Sequence, residues 1–121
     1  MEKYNKTVGA HGEKAAQKYL KKHGYKITDT NYYVKGGEID IIARKDGYVV
    51  FVEVKTRTSD SYGNGAEAVD YRKQQHLRHA AEIYMMRNGE CDIRFDVIVV
   101  GCEVFGNKIK VSEIQHIVNA F

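Results

Sequence analysis

Apolar and polar positions alternate along this chain with two periods, one of helices and one of strands. From Gly9 to Lys22 the spacing is helical, with Ala16, Tyr19 and Leu20 on one side, lysines on the other and Gly24 as a stop. Tyr25 to Val34 alternates as a strand, and Gly36-Gly37 lets the chain turn tightly. Gly37 to Lys55, GEIDIIARKDGYVVFVEVK, is two apolar strands around Asp46-Gly47, a dipeptide that favours a tight hairpin. Residues 56–65, TRTSDSYGNG, are polar and glycine-rich and predict a loop. Asn64 with Glu67 reads as a capping box that opens a second helix, running to about Asn88 before Gly89. Its stripe is Val69, Lys73, Leu77, Ala80 or Ala81, and Tyr84. Asp92 to Val100 is a third core strand with Ile93, Phe95, Val97 and Val99 on one face; Arg94 and Asp96 on the other most simply satisfy each other. Gly106-Asn107 predicts a further hairpin. Ser112 with Gln115 predicts the cap of a last short helix, striped by Ile114, Ile117, Val118 and Phe121. Residues 1–8 read as loosely ordered.

The hairpin holds the chemistry. A turn centred on Asp46-Gly47 pairs Lys45 with Tyr48, Ile42 with Phe51, Asp40 with Glu53, and Glu38 with Lys55. Ile39, Ile41 and Ala43 then share one side with Val50, Val52 and Val54, while Ile42, Val49 and Phe51 share the other with the four charges. Strands apolar on both faces are covered on both. Asp40 against Glu53 sets like charges roughly 5 Å apart, a costly pair unless a cation sits between them. Two carboxylates and a lysine on one face suit a hard divalent cation, Mg²⁺ or Mn²⁺, with Asp40 and Glu53 as ligands. Such a metal polarises a phosphoryl oxygen, and Lys55 orients the attacking water. The plainer alternative is a cross-strand Glu38–Lys55 ion pair on a solvated sheet edge. No serine or cysteine sits in a strand-to-helix elbow of the kind covalent catalysis needs.

Other positions stay open between structure and function. Glu13 falls on the buried stripe of the first helix, or is there because a first-turn carboxylate suits the helix dipole. Thr56, Arg57 and Ser59 are candidates for phosphate contact and Tyr62 for base stacking, unless the loop is a plain connection. Lys73 interrupts an apolar stripe, from which a lysine can also snorkel outward. His11, His76 and His79 read as surface residues. At 121 residues the chain predicts a single domain, and a net charge of +3 means that a basic face must come from distribution rather than excess. Cys91 and Cys102 lack metal spacing, the N-terminus is too polar for a signal peptide, and the apolar runs are strand length; together these predict a cytoplasmic protein with no membrane segment.

G-E-I-D at 37–40 and E-V-K at 53–55 resemble the PD-D/E-x-K nuclease core, with Asp40, Glu53 and Lys55 in its key positions and Ile39 where its proline usually stands. With Gly12-Glu13, Asn31, Thr56-Arg57, Lys73, Arg94-Phe95-Asp96-Val97 and the closing His116 to Phe121, nearly the whole chain is similar to the YraN-like family of bacterial proteins regarded as endonucleases. The resemblance implies a restriction-endonuclease-like three-layer αβ sandwich, a central mixed sheet flanked by helices, related in build to archaeal Holliday-junction resolvases. It also implies metal-dependent phosphodiester hydrolysis in nucleic acid, with branched DNA among the substrate options. Glu13 would join Glu38 and Lys55 as catalytic residues around the Asp40–Glu53 metal site. Lys73 would join Thr56, Arg57 and Tyr62 in contacting nucleic acid. The expected partner is nucleic acid, DNA ahead of RNA, with no membrane and with a homodimer left open. Two rivals stand beside this reading: a nucleic-acid-binding module with little catalysis, and an interaction protein working through its C-terminal helix.

Overall fold

The structure, a computed structural model, describes residues 2–58 and 69–121. Its elements are α1 (Glu2–Lys22), β1 (Lys26–Val34), β2 (Gly37–Lys45), β3 (Tyr48–Thr58), α2 (Tyr71–Asn88), β4 (Asp92–Phe105) and β5 (Lys108–Ile117). The strands form one mixed sheet in the order β1-β2-β3-β4-β5, antiparallel throughout except for the parallel β3–β4 pair. A parallel pair needs a long crossover, and the segment carrying α2 supplies it. Asp46 and Gly47 both take positive φ, 50° and 85°, as a two-residue primed turn demands, and β2 and β3 pair outward from Lys45 and Tyr48 as expected.

Each face of the sheet has its own core. On one, α1 packs Val8, Ala16 and Leu20 over Ile41, Val50, Val52 and Ile98. On the other, α2 packs Leu77, Ala80 and Tyr84 over Ile42, Phe51, Phe95 and Val97. The result is a three-layer α/β sandwich, and the doubly apolar hairpin lies buried at its centre. Each large apolar side chain so covered is worth roughly 1.5–3 kcal/mol, so β2 and β3 anchor the fold while their far ends carry charge.

Three boundaries differ from the sequence expectation. α1 starts at Glu2 rather than Gly9, so residues 2–8 continue the helix; Val8, 5 % exposed, extends its buried stripe by one turn. α2 starts at Tyr71, capped by Asp70, whose Oδ1 accepts the Lys73 N–H at 2.8 Å. The expected cap Asn64 and its partner Glu67 lie outside the described residues. The third difference is larger: the segment expected to be a C-terminal helix is strand β5. β4 runs on past Val100 to Phe105, and its outer edge offers unpaired backbone groups that β5 satisfies from Lys108 to Ile117. An irregularity at Gly101/Cys102 leaves Ser112 as an extra residue, its hydroxyl donating to the Gly101 carbonyl at 3.1 Å. Val111 and Ile114, three apart, consequently face the same cluster, which imitates helical spacing. A partner-binding C-terminal helix therefore does not exist.

The chain end is tied down through Asp96, which is fully buried. Its carboxylate accepts from Arg94 Nε and Nη2 (2.9 Å each), from the His116 ring (2.7 Å) and from the Asn119 N–H (3.0 Å). Arg94 also donates to the Tyr25 hydroxyl at 2.7 Å, so the Arg94–Asp96 pairing read from the sequence is one part of a larger network. Phe121 stacks on Phe95 across the other face, at 5.2 Å between ring centroids.

Candidate active site

The site forms where the central hairpin comes apart. β2 and β3 pair from Lys45–Tyr48 as far as Ile41–Val52, and their ladder ends there, whereas β3 stays paired with β4 through Thr58. The expected ladder pairs Asp40–Glu53 and Glu38–Lys55 do not form. On the other side of β2, Asn31 takes a positive φ of 50°, between the Thr30–Ile41 and Tyr32–Ile39 pairs. The strand's alternation also reverses at Asp40: Ile41 packs in the α1 cluster but Ile39 in the α2 cluster, against the shared face expected for them. Into this opening the Asp40 side chain turns sideways, and its Oδ2 accepts the Val54 N–H at 2.9 Å. A carboxylate has replaced a rung of the sheet.

Two glycines let the helices close on this point. A Cβ on Gly12 would lie 2.9 Å from Thr56 Cβ and Cγ2, so only glycine allows α1 to rest on β3 there, which carries Glu13 to the site. A Cβ on Gly37 would meet the His76 carbonyl oxygen at 2.5 Å, so α2 rests on the start of β2 in the same way.

Three further carboxyl groups gather around Asp40. Glu53, 8 % exposed, has its pKa pushed up to about 8, first by burial, then by the charge of Asp40 and a hydrogen bond shared with it, with Lys73 opposing. Glu13 is raised by burial and then by the charges of Asp40 and Glu38. Glu38 is raised by burial and then by Asp40, again against Lys73. Lys73 Nζ stands 3.4 Å from Glu53 Oε2, an ion pair that still leaves this buried oxygen without a hydrogen bond. Glu13, Asp40, Glu53, Lys55, Thr56 and Thr58 line an open pocket of about 530 Å³, which Val8, Gly9 and Ala10 of α1 complete.

The predicted residues Glu13, Glu38, Asp40, Glu53 and Lys73 are thus brought together, and Lys55 and Thr56 share the pocket of Glu13, Asp40 and Glu53. Arg57 sits half-buried at the next strand position with its Nε buried and unbonded. Tyr62 and Ser59 lie outside the described residues. His79 bonds the Lys35 carbonyl at 3.0 Å and His11 the Thr7 carbonyl at 3.0 Å, both exposed, in line with their reading as surface residues. Of the α1 wall, Val8 went unread because it falls in the stretch taken as loose, whereas Gly9 and Ala10 lie in the expected helix; the signal was its place four before Gly12 and eight before Ala16.

Among the described residues, no three acidic, histidine or cysteine side chains are gathered as tightly as a filled metal site would hold them. The donors nevertheless suit a hard cation. They are all carboxylate oxygens, and the buried Glu53 Oε2 makes no hydrogen bond, only the 3.4 Å ion pair with Lys73.

Fold and site together define a mixed α/β sandwich with an acid-and-lysine pocket at the open end of its central hairpin. Within that class the chain belongs to the Uncharacterised protein family UPF0102, whose profile matches residues 12–100. A UPF0102 protein of Acetivibrio thermocellus is 47 % identical over 119 residues, covering 96 % of this chain and 92 % of its own. One of Caldanaerobacter subterraneus subsp. tengcongensis is 47 % identical over 126 residues with both chains fully covered, and one of Geobacter metallireducens 43 % identical over 123. No helix among the described residues is long and apolar enough to cross a membrane.

Proposed function

We propose that this chain is a Mg²⁺- or Mn²⁺-dependent endonuclease of restriction-endonuclease-like build that hydrolyses phosphodiester bonds in nucleic acid, DNA in the first place. The observation that carries the reading is Asp40 planted in the opened hairpin beside Glu53, whose buried oxygen lacks a hydrogen bond. Asp40 and Glu53 would hold the cation, with Glu13 at its edge. When bound, the metal supplies Lewis-acid polarisation of the phosphoryl oxygen and an acidified water. Lys55, exposed on the same pocket, would orient an attacking water and offset charge growing on the phosphoryl oxygens. Glu38 and Glu13, both with raised pKa, are placed to hold a proton. Thr56 and Arg57 continue β3 away from the site, where a substrate backbone would run, and Tyr62 would stack on a base. Free Cys91 and Cys102 fit a reducing compartment, the cytoplasm.

A panel of labelled linear, flapped and four-way-branched DNAs, incubated with Mg²⁺ or Mn²⁺, tests the reading. Metal-dependent cutting of at least one substrate is expected. Tight binding with no cutting anywhere in the panel would instead make the chain a binding module.

A further inference from the structure

Two lysines reach the acidic site in different states. Lys55 is exposed at the pocket, whereas Lys73 is engaged: its Nζ stands 3.4 Å from Glu53 Oε2, and it is the cation that opposes the raised pKa of both Glu53 and Glu38. Its position on α2 does not account for this. Lys73 lies in the first helical turn, which carries no acidic residue, and a cation there runs against the helix dipole. Asp70 is committed to the Lys73 backbone N–H rather than to its ammonium. What draws the side chain inward is therefore the carboxylate pair across the gap. The contact is also loose. It gives Glu53 Oε2 no hydrogen bond, and the Lys73 side chain is 39 % exposed on a long stem that can swing away without moving α2.

We propose that Lys73 is the resident counterion of the metal-free site, occupying Glu53 where a divalent cation would bind, and that it sets the metal affinity by competing for that oxygen. The inference rests on the metal-dependent reading above. An ammonium and a divalent ion cannot both sit on one carboxylate oxygen at close range, so each must weaken the other's hold. A lysine whose only task was to fasten α2 would act in the opposite sense: removing it would loosen the site and weaken the metal.

Calorimetric titration of Mg²⁺ into the nucleic-acid-free protein separates these cases, repeated at rising pH until the affinity of each variant no longer changes, because removing Lys73 also lifts the pKa of Glu53 and lets protons compete. Wild type, Lys73→Met and Lys73→Arg are compared, each first shown by thermal melting to be folded. Lys73→Met should bind Mg²⁺ about five- to tenfold more tightly than wild type. Lys73→Arg, which keeps the charge, should stay within about twofold of wild type. Wild type binding Mg²⁺ while Lys73→Met binds no more tightly would overturn the proposal and leave the metal reading standing. Tightening by both variants alike would overturn it too, since charge would then not be the cause. Binding by none of the three overturns the metal reading, and the competition with it.

Discussion

Glu53 and Asp96 are both buried acids, and their neighbours drive them in opposite directions. Burial and the charge of Asp40 push the pKa of Glu53 up to about 8. An acid whose folded pKa is raised binds its proton more tightly when folded, so its contribution to stability is full below its ordinary value of 4.5 and is lost as pH climbs through about 8. In chelator the melting temperature should therefore fall across this window, Glu13 and Glu38 adding in the same sense. Glu53→Gln should flatten the fall, and an equally steep profile in that variant would contradict the assignment. Asp96 is the reverse case. Burial alone would raise it, but hydrogen bonds from His116, Arg94 and Asn119 and the Arg94 charge bring it below its usual range. Its contribution is present above 3.8 and is lost in acid. Asp96→Asn strands Arg94 and should cost about 3–5 kcal/mol in denaturant unfolding; a cost under about 1 kcal/mol would mean that the network is ornamental.

At the level of elements, the turn is what the sequence made plainest. Asp46-Gly47 determined which residues of β2 face which of β3 from Lys45 to Ile41, because a primed turn leaves no other register. The opening at Asp40 was not legible, since it depends on Asn31 of the neighbouring strand and on the Val54 N–H finding a side chain in place of a carbonyl. β5 was misread because Ile114 and Ile117, spaced three apart as on a helix, in fact pack on opposite faces of the sheet, in the α1 and α2 cores. Glu13 could be suspected from its place on the α1 stripe, but the contact that delivers it is Gly12 against Thr56. Gly12→Ala should gain about 1 kcal/mol of helix propensity yet lose about 1–3 kcal/mol to the clash with Thr56, for a net loss. Adding Thr56→Ala should recover part of it in a double-mutant cycle. Strict additivity would show that α1 does not lean on β3 at this point.

For the whole molecule, the three layers explain why charge can survive at the end of an apolar hairpin: both faces are covered by helices, and the end beyond Ile41 and Val52 opens to a pocket. With a net charge of +3, few cations can reach a phosphate chain, so nucleic-acid binding should be weak and salt-sensitive. Arg57→Ala should flatten the plot of log affinity against log salt by roughly 0.7 to 0.9, one contact's worth; an unchanged slope would remove Arg57 from the interface. The central claim is that Asp40 and Glu53 together make this fold a metal-dependent nuclease. The rate of Mg²⁺-dependent cleavage by wild type, Asp40→Asn and Glu53→Gln, measured side by side on the best-cut DNA of the panel, tests it most directly. Each variant should fall by roughly a hundredfold or more while still binding that DNA, and both cutting at the wild-type rate would contradict the account.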